Sequence, residues 1–119
     1  MFPSSMLARL YVKGSLKNTD KGFSLKLKNM IDSGTIVGLG PLGVDEHTYG
    51  PEMCTVKIGA TEVKGDQITS KTLVRVGLSM EIFISVEGPQ LQPGEHKLSF
   101  QIFTREAGRL QFTITETLV

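Results

Sequence analysis

The densest collection of groups able to do chemistry lies between residues 45 and 54. Asp45, Glu46, His47, Glu52 and Cys54 bring carboxylates, an imidazole and a thiol into one loop and the start of an apolar run. Such a set can in principle hold zinc or manganese. No pair among them has a characteristic metal-ligand spacing, and Gly50 and Pro51 break the chain between them. A solvated acidic loop is therefore the first reading, with a metal site on Asp45, His47 and Glu52 as the alternative. Cys54 shares the parity of Val56 and Ile58, which makes it a buried, inert thiol.

Gly38, Gly40 and Gly43 satisfy the G-x-G-x-x-G spacing after an apolar run. That spacing cradles a pyrophosphate only when a helix opens at the third glycine. Here Gly50 and Pro51 follow too soon for one, so the expectation is a bulged strand or a close backbone approach, and no cofactor. His96 stands just after Pro93 and Gly94. A general base needs a bonded partner and a pocket. Its neighbours in sequence are Glu87 and Glu95, and a turn histidine bonded to backbone is expected. The sequence carries no catalytic constellation.

The elements around these residues read as strands. Phe23, Leu25 and Leu27 alternate with Ser24, Lys26 and Lys28, and Met80, Ile82, Ile84 and Val86 alternate with Glu81, Phe83, Ser85 and Glu87. Leu98, Phe100 and Ile102, then Leu110, Phe112 and Ile114, keep the same period of two. That period places one side on a core and the other in water. Turn residues separate the runs at 18–22, 32–34, 50–51, 88–89, 93–94 and 106–109. The prediction is a single domain over 1–119, an antiparallel β-sandwich of immunoglobulin-like size. Eight or nine short strands are expected near 7–17, 22–29, 35–44, 53–58, 61–64, 73–76, 80–87, 96–104 and 110–118. The last three should form a meander, and 64–72 should be an exposed loop.

Composition excludes several function classes. Thirteen basic residues against twelve acidic leave a net charge of +1, too little for a nucleic-acid footprint. Arg9, Tyr11, Lys13 and Lys17 would share one outer face of the first strand as a modest basic stripe. The single cysteine excludes an internal disulfide, and no run is long and apolar enough for a membrane helix. A cytoplasmic location is the default expectation.

More suggestive are apolar residues that the alternation turns outward. Phe83 shares the parity of Glu81 and Ser85, Leu39 and Leu42 sit among glycines, and Phe2 and Met6 lie at the N-terminus. Gathered on one surface, they would form a protein interface. The alternative is that a further layer or the 64–72 loop covers them.

Three segments together resemble a known family. Gly22, Phe23, Leu25, Leu27 and Asn29 are similar to its opening strand. Val44, Asp45, Tyr49, Pro51 and Glu52 resemble its hairpin, and Leu91 with Pro93, Gly94, Glu95 and His96 its turn into a strand. The family is the small β-subunit type of bacterial C-glycoside deglycosidases. The resemblance implies a β-sandwich that pairs with a metal-dependent TIM-barrel α-subunit, which carries the catalytic residues. None of those maps onto this chain. The expected function is a non-catalytic accessory subunit of a larger enzyme, with a homo-oligomeric binding module as the alternative.

Overall fold

In the computed structural model, which describes residues 2–119, the alternating segments pair into two antiparallel sheets. The strands are β1 (Lys17–Thr19), β2 (Gly22–Lys28), β3 (Gly34–Leu39), β4 (Leu42–Val44), β5 (His47–Tyr49) and β6 (Cys54–Ile58). They continue with β7 (Thr61–Lys64), β8 (Val74–Val76), β9 (Glu81–Glu87), β10 (Gly94–Thr104) and β11 (Gly108–Leu118). One sheet has the order β1-β2-β9-β6-β7, and the other runs β5-β4-β10-β3-β8 with β11 also paired to β10. The inward residues form one apolar cluster between them, centred on Phe23, Leu25, Leu27, Val86 and Leu98. The expected all-β sandwich is the fold of this chain.

Where the structure departs from the alternation, a local cause is visible. Residues 7–17 are not a strand. Pro3 precedes a short helix, α1 (Ser4–Leu7), and a 3-10 turn over Ala8–Leu10 follows. Leu7 and Leu10, three apart, both reach the core, a spacing that one face of a helical turn satisfies. The basic stripe on Arg9, Lys13 and Lys17 depended on a period of two and does not form.

The 35–44 run splits into β3 and β4 at Gly40 and Pro41. It also acquires a partner, β5, through a two-residue turn at Asp45 and Glu46, where Val44 pairs with His47. The meander is only half formed. β10 and β11 pair along their whole length, but β9 lies between β2 and β6 in the opposite sheet. The connection from β9 to β10 is a crossover, tied down when Asn18 bonds both the N–H and the C=O of Leu91. Nor is 64–72 wholly exposed, because Gly65 and Ile68 are buried.

Candidate functional site

The two ends of the sandwich differ in chemistry. At one end, a cavity of about 340 Å³ is lined by the end of β2 and the start of β3. Leu27, Ile36, Val76, Ile82 and Ile102 line its interior, from both sheets. Polar residues stand at its mouth and are already engaged with one another. Glu106 accepts bonds from the Thr35 amide and the Thr35 hydroxyl, both at 2.8 Å. These two donors, the amide foremost, hold the Glu106 carboxyl below its ordinary range.

Asn29, which closes β2, organises the adjacent loops. Its buried side-chain amide reaches the carbonyl oxygens of Asp32 (2.7 Å), Val76 (3.1 Å) and Gly77 (3.2 Å). Its own carbonyl accepts the Ile31 N–H, and its backbone bonds Ser79 and Met80. Two loops are thereby pinned together, and three large apolar side chains are presented on them. Met30 and Leu78 are each 56% exposed and Met80 is 39% exposed.

The other end is polar and closed. The carboxylate of Asp45 accepts the Lys97 amide at 2.9 Å and lies 2.7 Å from Nδ1 of His96. Nε2 of His96 lies 2.6 Å from the Gln92 carbonyl. Both partners of the ring are acceptors, an arrangement that favours the doubly protonated imidazolium. The Gln92 carbonyl first, and Asp45 second, raise the His96 pKa above its ordinary value. The Lys97 amide, followed by His96, lowers that of Asp45. Directly across from His96 on β11 is Glu116, also buried. It accepts the Tyr11 hydroxyl at 2.9 Å and the Gly14 amide.

The sequence-derived candidates distribute unevenly over this frame. Asp45 turns to His96 and the backbone of β10 rather than to His47 and Glu52, which are exposed. Among the described residues, no three His, Cys, Asp or Glu side chains gather as a metal site. His96 bonds backbone as expected, but its carboxylate partner is Asp45, not Glu87 or Glu95. Cys54 is buried, and burial pushes its thiol up to about 11. With the imidazole committed on both nitrogens and the thiol protonated, these groups can bind and brace but not attack.

The Gly38–Gly43 segment lies against the outward side chains of β10. A Cβ on Gly40 would stand 2.8 Å from Cβ of Gln101, and one on Gly38 3.3 Å from the Phe103 ring. Close strand approach, not a phosphate, accounts for these glycines.

Phe83 is 46% exposed, with Lys26 Nζ 5.4 Å from its ring centre, and Met6 is 41% exposed. Leu39 and Phe2 are half-buried. Leu42 does not belong to a surface: it is 5% exposed, facing the core because β4 restarts the alternation after Pro41. These residues lie on different parts of the molecule and do not gather into one patch, since Phe83 is on the outer face of the first sheet and Phe2 beside the cavity. Sequence reasoning missed Met30 and Leu78, and the alternation turned Met80 inward with Ile82, whereas Met80 precedes β9 and is exposed. The signal for this exposed group was Asn29 at the end of an alternating strand.

Compared with known families, residues 6–119 match the model described as Hydroxymethylglutaryl-CoA reductase, N-terminal domain, and the chain belongs to that family. No curated protein matches it. The family match overturns the resemblance to the C-glycoside deglycosidase β-subunits. The residues that carried it serve general needs of a sandwich. Gly22 lies where a Cβ would strike the Val86 carbonyl and approach Gly88 N to 2.9 Å, Asn29 pins loops, and Gly94 takes φ 122° at a turn. No helix among the described residues is long and apolar enough to cross a membrane.

Proposed function

We propose that this chain, as a member of that family, is a non-catalytic module that docks on a larger catalytic protein and shapes it. The observation that carries the reading is the Met30, Leu78 and Met80 cluster, held out from the frame by the buried Asn29 amide. Adaptable methionines and a leucine on a braced loop pair suit the centre of a protein interface. The family's description as a reductase N-terminal domain supports a hydroxymethylglutaryl-CoA reductase catalytic unit as the first partner to try. The test is titration calorimetry of that unit with the wild type and with Met30→Ser, Leu78→Ser, Met80→Ser combined. A loss of about thirty-fold or more in affinity, with the fold intact, is expected from removing such anchors. Unchanged affinity, or no binding by the wild type, overturns the reading.

A second reading, self-association, is favoured by β11. It spans eleven residues, pairs among the described residues with β10 alone, and has Arg109 as its one exposed charge, with α1 and the 3-10 turn lying against part of it. An unpaired edge of that length is a template for another strand. Thr113→Pro would break such pairing, so sizing at high concentration separates the two readings.

A further inference from the structure

The cavity at the Asn29 end has the dimensions and lining of a ligand site. Its volume of about 340 Å³ lies within the range of small-molecule pockets, roughly 300–1,000 Å³. A dry apolar cavity less than half that size, ~150 Å³, takes up benzene. We propose that it binds an aliphatic molecule of roughly eight to twelve carbons with an uncharged polar head, in chemical class a medium-chain alcohol.

The interior selects the tail. Leu27, Ile36, Val76, Ile82 and Ile102 are branched aliphatic side chains that offer contact to a flexible chain, and Phe2 is the one aromatic residue in the lining. Among the described residues, no buried side-chain nitrogen or oxygen lacks a hydrogen-bond partner. Asn29, buried in the lining, spends its amide on three backbone carbonyls. The interior therefore asks no hydrogen bond of a ligand and rewards only burial of apolar surface.

The mouth selects the head. Asp32 and Glu106 stand there with Lys28, and Arg105 acts on Glu106 from beside it, so the rim charges balance and offer a carboxylate little to offset its desolvation. An ammonium would have to share Glu106 with Thr35, whose amide and hydroxyl already occupy both carboxylate oxygens. A hydroxyl, donor and acceptor at once, can join the rim without displacing either bond.

The site is tested on the isolated chain, so a failure to find a docking partner does not affect the result. Titration calorimetry with 1-octanol should give saturable one-to-one binding, and sodium octanoate should bind at least tenfold more weakly. Leu110→Trp, which fills the cavity from β11, should weaken 1-octanol at least tenfold while retaining the wild-type circular dichroism spectrum. Should that variant not fold, Ala107→Trp on the exposed turn at the mouth should block entry to the same degree. No saturable binding of 1-octanol by the wild type, or equal affinity in the folded tryptophan variants, overturns the proposal. Equal affinity for octanoate overturns the assignment of the uncharged head.

Discussion

His96 on β10 and Asp45 in the β4–β5 turn are joined twice over: the ring donates to the Asp45 carboxylate, and that carboxylate also accepts the next backbone amide of β10. Asp45 holds φ 56°, a left-handed conformation that costs a non-glycine residue roughly 1 kcal/mol. The bonds to β10 hold it there. The same pair makes stability depend on pH in both directions.

On the alkaline side, His96 has a raised pKa in the folded chain, so its contribution is complete below the unfolded value near ~6.5 and is lost as pH rises through the folded value. Asp45 acts oppositely. Its pKa is lowered, so its contribution is present above ~3.9 and is lost as pH falls through the folded value. Glu116 stands across from the ring on β11, engaged with Tyr11 and Gly14. Urea unfolding from pH 3 to 9 should show highest stability between these limits. Asp45→Asn should flatten the alkaline limb and lower the His96 pKa seen by NMR. An unchanged alkaline limb would refute the pairing.

Asn29→Ala should be among the costliest polar substitutions, because three loop carbonyls lose a buried donor. A loss of about 1–3 kcal/mol in denaturant unfolding is expected. Hydrogen exchange should rise at Ile31, Ser79 and Met80 together, since one side chain and its backbone hold both loops. Exchange confined to one loop would contradict that role.

Tyr11 gives a spectroscopic check on the closed end. Burial foremost, with Glu116 adding to it, pushes its phenol up to about 12. An ultraviolet titration should show one tyrosine ionising at about that pH, and Tyr11→Phe should remove that transition. The same variant leaves Glu116 short of a donor and should cost about 1–3 kcal/mol of stability. A Tyr11 transition near ~10 would mean that the phenol is solvated.

Phe83 and Phe23 offer a matched pair. Phe83 is nearly half exposed under Lys26, whereas Phe23 is fully buried against the edge of Tyr49 at 5.4 Å. Phe83→Ala should cost no more than about 1 kcal/mol, the scale of an exposed cation–π contact. Phe23→Ala should cost about 3–5 kcal/mol. Thermal melts giving the two variants equal losses would show that Phe83 is packed.

At Gly40, space and not backbone strain forbids a side chain. Gly40→Ala should cost about 1–3 kcal/mol as the Gln101 side chain is forced aside. Gly43→Ala should cost less, because its Cβ would stand 3.2 Å from Cβ of Ser99, against 2.8 Å from Gln101 at Gly40. NAD titrated into the wild type should give no saturable heat. Binding abolished by Gly40→Ala would restore the phosphate reading.

The sequence by itself determined the fold class and the inward face of nearly every strand. A period of two survives in Leu25 and Leu27, in Ile82, Ile84 and Val86, and in Leu98, Phe100 and Ile102, because each strand faces one core and one solvent side. It did not determine which strands pair. β9 and β10 alternate equally well, yet β9 pairs with β2 and β6 while β10 pairs with β3, β4 and β11. Asn18, seventy-three positions from Leu91, ties down the crossover between them. Nor could it assign the partners of His96 and Glu116. Those lie fifty-one and 105 positions off, at Asp45 and Tyr11, and hydrogen bonds over such separations leave no periodic trace. The cavity belongs to the tertiary structure alone. Residues from both sheets line it, and no single segment encodes it.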